Sequence, residues 1–158
     1  MKKVTSVINT IALLCMLLVI LYVILRWNMA PESIPVHYDA AGIPNRYGAK
    51  LEAMLPLVIL CVMYGILTIF QQVPYNDEIK GGDVITLDKK IEKCLLALLM
   101  GMEKLVLTLI FGTIIVYAMK SLALPSNFLI LALFFVFIPV LFFLCYYLSL
   151  WKTKKQPN

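Results

Sequence analysis

The chain has little with which to do water-based chemistry. It carries one histidine, His37, and only 15% of its residues are charged. No HExxH, no Gly-x-Ser-x-Gly and no paired-aspartate signature of a membrane protease occurs, so the familiar hydrolytic sites lack their starting residues. The four cysteines, Cys15, Cys61, Cys94 and Cys145, form no CxxC and no His/Cys cluster at zinc spacing. Each lies in or beside an apolar run, where a thiol packs as a small apolar group, and none suggests a disulfide framework. The basic residues come in short clusters without an aromatic platform, which argues against nucleic acid. A non-enzymatic chain with no catalytic set, no metal and no cofactor is expected.

What is abundant is apolar length. Hydrophobic residues make up 62% of the 158, gathered into four long runs. A bilayer core of roughly 30 Å is crossed by about 20 helical residues at about 1.5 Å each. A soluble helix needs a wet face and would interrupt such runs. The fold expected is an all-α integral membrane protein, a four-transmembrane-helix bundle forming one domain over residues 1–158. Its spans fall at about 4–26, 52–71, 95–119 and 126–151, with a structured extracytoplasmic loop at 27–50 between the first two. Lysines 2 and 3 before an apolar run also open signal peptides. This run is long for one, and no small-x-small site follows it, so span one is expected to remain attached.

The net charge of +5 reads as orientation. Four spans place both termini on one side. There lie nine basic residues: Lys2, Lys3, Lys80, Lys89, Lys90, Lys93, Lys152, Lys154 and Lys155. Opposite lie four: Arg26, Arg46, Lys50 and Lys120. Because Lys and Arg accumulate on the cytoplasmic side, both termini are expected there, in a multi-pass protein of the bacterial plasma membrane. Arg26-Trp27 and Tyr146, Tyr147, Trp151, Lys152 suit the two interfaces.

Between spans the punctuation differs. Pro31, Pro35 and Pro44 with Gly42 and Gly48 forbid a long helix in the first loop and indicate turns joined by short extended pieces. The second loop begins turn-like, at Val73-Pro74 and Gly81-Gly82-Asp83. A helical period then sets in at Val84, Leu87, Ile91, Cys94 and Leu98. That is an amphipathic helix lying at the interface, or an inward extension of span three. Ser126 or Asn127 can cap span four, and Pro139 should kink it.

Within span three stands the charged pair Glu103-Lys104. Two depths fit. With hydrocarbon beginning near Leu95, Glu103 lies about 12 Å deep. With the span at Leu105 to Leu124, the pair sits at the interface. Charges deep in a bilayer cost roughly 2.5–3.5 kcal/mol apiece or more, so the choice decides whether the pair marks a path or an edge.

The first loop carries the one distinctive pattern: Ile34-Pro35-x-His37, then Gly42-x-Pro44, then Gly48-x-Lys50, with Pro56 just inside span two. It resembles a bacterial membrane family catalogued as domain of unknown function 1648, over roughly Trp27 to Pro56. The resemblance implies the span layout. The same domain forms the N-terminal part of SdpI-type immunity proteins, which protect a bacillus from its own secreted toxin and relay that signal to a repressor. Residue chemistry gives its own candidates. His37 and Asp39 share a face in an extended stretch and could hold a cation or bond each other. Arg46 and Lys50 could attract a carboxylate or a lipid phosphate. The bland alternative is a proline-braced cap whose polar groups satisfy its own backbone.

Two functions follow as expectations. One is an immunity-like or sensory component that binds a peptide, toxin or lipid at the outer face. The other is a small transport component or accessory permease subunit using Glu103 and Lys104, which with four spans would need a homo-oligomer or a membrane-protein partner.

Overall fold

The computed structural model describes residues 2–72 and 87–154. Its order is α1 (Lys2–Arg26), a 3-10 turn (Trp27–Met29), β1 (Ser33–Tyr38) and β2 (Pro44–Ala49). A second 3-10 turn (Glu52–Met54), α2 (Leu55–Gln72), α3 (Leu87–Met119) and α4 (Phe128–Lys154) complete it. Four helices are long and apolar enough to cross a membrane, over Lys2–Met29, Leu55–Gln72, Glu92–Met119 and Phe128–Tyr146. Their outward faces are strongly apolar: Leu18, Leu25, Ile69, Phe70, Ile130 and Phe142 are all well exposed.

α3 is the central helix and contacts α1, α2 and α4. Its closeness to α1 depends on Gly112, where an added Cβ would stand 2.7 Å from Val19 Cγ2. Small residues at such a crossing let two backbones approach and gain dispersion contacts, the main source of helix association where both phases are apolar. Near one end of the pair, Val23, Ala30, Ile115 and Met119 form a buried cluster, with Tyr22, Trp27, Met54 and Leu57 packed on it.

α3 runs unbroken from Leu87, so the period through Leu87, Ile91, Cys94 and Leu98 belongs to the same helix as the span. Val84 and the turn-like stretch before it lie outside the described residues. The C-terminus of α3 closes by a double bond: Leu122 N–H reaches Tyr117 O at 3.0 Å, and Ser121 N–H reaches Ala118 O at 2.9 Å. That is a Schellman closure, which needs a left-handed residue. Ser121 supplies it at φ +53°, where glycine would sit with less strain. Asn127 O accepts from Leu131 N–H at 3.0 Å and so takes the N-cap position of α4. α4 continues as helix through Pro139.

Both connections at this end, the hairpin and residues 120–127, meet each other. Gly42 O accepts from Leu124 N–H at 2.8 Å, and Tyr38 Oη donates to Leu122 O at 3.3 Å. The helix ends at Lys2, Gln72, Leu87 and Lys154 lie toward the opposite end.

Candidate functional site

The first loop folds as an antiparallel hairpin. Ser33 pairs with Ala49, Ile34 with Gly48, Pro35 with Tyr47, His37 with Arg46 and Tyr38 with Pro44, with irregularities on either side of His37. Its anchor is apolar: Ile34 is fully buried, which contributes about 2 kcal/mol, and Pro35 is buried beside it.

Most of the distinctive residues hold the hairpin together. Asp39 Oδ1 accepts the N–H groups of Ala41 at 2.9 Å and Ile43 at 2.8 Å, while Asp39 O accepts from Gly42 N–H at 3.0 Å. This is an Asx-type turn. Gly42 sits at φ +80°, and a Cβ there would lie 2.7 Å from Leu124 O, so conformation and space both require glycine. Pro44 opens β2. Gly48 leaves room for the Glu52 carboxylate, whose oxygens would be 2.9 and 3.0 Å from a Cβ at that position. Lys50 Nζ reaches Glu32 Oε1 at 2.8 Å.

The expected partnership of His37 with Asp39 is not formed. Asp39 faces the turn amides, and His37 Nδ1 lies 2.6 Å from Asn45 Oδ1 across the hairpin. With the amide oxygen as acceptor, the ring proton rests on Nδ1. Among the described residues, no group of three or more His, Cys, Asp or Glu side chains is placed to hold a metal.

Under the hairpin lies a cleft of about 550 Å³. Pro35, Val36 and Tyr38 of β1 form its roof; Leu55, Pro56, Val58 and Ile59 of α2 form one wall; Ile114, Ile115 and Ala118 of α3 form the other. Arg46 and Glu52 also line it, 3.7 Å apart and both more than half exposed. Its lining is mostly apolar and it is open to the outside along Leu51, Leu55 and Val58. The Tyr38 phenol beside it is pushed up to about 12, first by burial and second by Tyr47. Of the sequence-derived candidates the cleft gathers Pro35 and Arg46. Glu52 was missed by sequence reading; its signal was an acidic residue just before an apolar helix, within reach of the glycine at 48.

Glu103 and Lys104 lie elsewhere, with Lys104 about 16 Å along α3 from Ile115. Both are buried, at 8% and 2% exposure. Lys104 Nζ donates to Gln71 Oε1 at 2.7 Å and stands 5.3 Å from the centre of the Tyr64 ring. Gln71 Nε2 in turn donates to Ala97 O at 2.6 Å. Helical side chains lean toward the N-terminus, so Lys104 reaches the last turn of α2. Asn9 of α1 comes to the same level, its Oδ1 3.2 Å from where a Cβ on Gly101 would be. Measured along each helix, these polar residues stand about 22–26 Å from Arg26, Leu55 and Met119 at the hairpin end. Glu103 Oε1 and Asn9 Oδ1 are buried without a hydrogen-bond partner.

Four helices long and apolar enough to cross a membrane, with a two-stranded hairpin between the first two, define the class of small helical protein to which this fold conforms. Residues 13–62, which include α1's second half, the hairpin and the start of α2, match the family described as Domain of unknown function (DUF1648). The chain is also similar to an uncharacterized protein of Archaeoglobus fulgidus, 27% identical over 64 residues. That match covers 40% of this chain and 35% of the archaeal protein, so it spans about a third of the relative's length. No solved structure matches the chain.

Proposed function

We propose that the protein is a non-enzymatic component of the cell membrane, with both termini cytoplasmic, whose hairpin-roofed cleft binds an amphiphilic molecule at the outer face. The single observation that carries this is the cleft itself: apolar walls of α2 and α3 under a lid of β1, with Arg46 and Glu52 at its rim. Supporting the membrane setting, apolar side chains cover the outside of the helices, a surface that would aggregate in water. The excess of lysine on the terminus side supports the orientation. Tyr38, Arg46 and Glu52 include no nucleophile with a base, which fits binding better than turnover.

Our reading of the role is immunity-like or sensory: with the hairpin on the outer face, a molecule arriving from outside would meet it first. The test is a deletion strain challenged with membrane-active peptides and lipids. Tolerance that is lost on deletion and restored by the wild-type gene, and not by Arg46→Ala at equal membrane abundance, supports the reading. Unchanged tolerance to the whole panel on deletion defeats it.

A transport component is the second reading, favoured by the unpartnered buried oxygen of Glu103. Intramembrane carboxylates of that kind mark proton or cation paths. Glu103→Gln in reconstituted vesicles should then abolish a proton or cation flux that the wild type carries; an absent flux removes this reading.

A further inference from the structure

Charge and position at the cleft narrow its occupant. Arg46 and Glu52 face each other at 3.7 Å, beyond hydrogen-bond range, and both are open to solvent. A pair this long and exposed contributes little to stability, so Arg46 and Glu52 Oε2 can take another partner, while Oε1 accepts from Ala49 N–H at 3.3 Å. The rim therefore offers one cation and one anion side by side, with no net charge. Lys50 adds none, since Glu32 holds it at 2.8 Å. A purely anionic head would be repelled by Glu52; a head carrying both charges would meet both residues.

The walls argue for a lipid over a water-borne peptide. Leu55 and Val58 line the cleft and are also exposed, at 61% and 56%, so the cavity wall continues onto the outer apolar surface of α2. The cleft thus opens sideways where the apolar helix begins, the depth at which a phospholipid places its head above its chains. We infer that the cleft takes one acyl chain of a phosphoethanolamine-type lipid, with its phosphate on Arg46 and its primary ammonium on Glu52. Arg46 can grip a phosphate with two parallel N–H bonds, and an ammonium can donate to the carboxylate, both charge-assisted. A quaternary choline head lacks the N–H donors for the second contact. The inference rests on the cleft being a binding site for amphiphiles and specifies which one.

The experiment uses the whole chain in mixed micelles with equal amounts of phosphatidylethanolamine, phosphatidylglycerol and phosphatidylcholine, read by native mass spectrometry. The wild type should retain the ethanolamine lipid about tenfold over either competitor. Glu52→Gln should erase its advantage over phosphatidylglycerol. Because Glu52 Oε1 also accepts from Ala49 N–H, Arg46→Gln serves as the second variant, with no backbone contact of its own to lose. It should lower retention of all three lipids, since each carries a phosphate for the guanidinium. Equal retention of the three lipids by the wild type overturns the inference, as does an unchanged preference in both variants. Ile114→Trp, which fills the cleft from α3, separates the two levels. Lipid retained without head preference but lost in Ile114→Trp leaves the cleft as a binding site and removes the lipid assignment. Retention unaffected by Ile114→Trp removes both.

Discussion

The two polar regions of this molecule solve the same problem in opposite ways. At the hairpin end, polar side chains serve nearby backbone: Asp39 binds amides two and four residues on, and Glu52 an amide three residues back. At the other end, Lys104 bonds Gln71 across 33 residues, and Gln71 bonds Ala97 across 26. The difference follows from the surroundings. A loop has free backbone donors, so a short polar side chain finds one within a turn. Inside a helix bundle the backbone N–H groups are already paired, so a buried amide or ammonium turns to a carbonyl or side chain of another helix, while a short hydroxyl such as that of Thr108 can still reach a carbonyl one turn back. The carboxylates of one end therefore staple their own loop, with Tyr38 and Gly42 joining it to the connection after α3, and the other end ties α2 to α3.

That contrast can be broken at either end. The largest effect is expected from Gly42→Ala, which places a methyl against Leu124 O in a left-handed conformation. A loss of about 3 kcal/mol or more, seen as earlier unfolding in detergent, is expected. Gln71→Leu comes next. It leaves the Lys104 ammonium buried beside Tyr64 without its acceptor and should cost about 2 kcal/mol. The two sites stand at opposite ends of the bundle, so the double variant should lose the sum; strong non-additivity would mean the ends are coupled. Asp39→Ala frees two turn amides that water can partly satisfy, for about 1 kcal/mol. Ser121→Gly should gain up to about 1 kcal/mol, because it relieves the left-handed serine in the α3 closure.

Sequence alone reaches the first of these regions better than the second. Apolar runs long enough to span about 30 Å announce the four helices whatever their packing. Pro35, Gly42, Pro44 and Gly48 forbid helix locally, and the hairpin is the extended structure they leave. Strand register, by contrast, depends on which residues face Ile34 and Tyr47, and two bulges around His37 erase simple alternation. His37 and Asp39 looked like partners because they alternate on an ideal strand; the bulge and the turn separate them. The depth of Lys104 was undecidable from α3 by itself. The fold places Lys104 level with the end of α2, since Gln71 in the last turn of that helix meets the ammonium. Glu52 escaped notice because its neighbours Arg46, Gly48 and Ala49 close on it only when β2 turns into α2.

The finest test of the hairpin end is alkaline, and it turns on Tyr38. Its phenol donates to Leu122 O at 3.3 Å, which joins the hairpin to the connection between α3 and α4. Burial, and then the neighbouring Tyr47, raise its pKa from 10.0 to about 12. Above pH 10 an unfolded chain gives up this proton while the folded one keeps it. The folded state then binds more protons than the unfolded state, so stability must fall as pH rises. The contribution is whole below about pH 10 and gone once pH passes about 12. Tyr38→Phe has no proton to lose and should show a shallower decline over that window, measured as unfolding midpoint against pH alongside tyrosinate absorbance. Tyr47→Phe should bring the late phenol part of the way back toward 10, because burial is the larger cause and remains. An identical alkaline slope in wild type and Tyr38→Phe would mean that the phenol contact does not hold the two connections together, leaving Gly42 and Leu124 to do so alone.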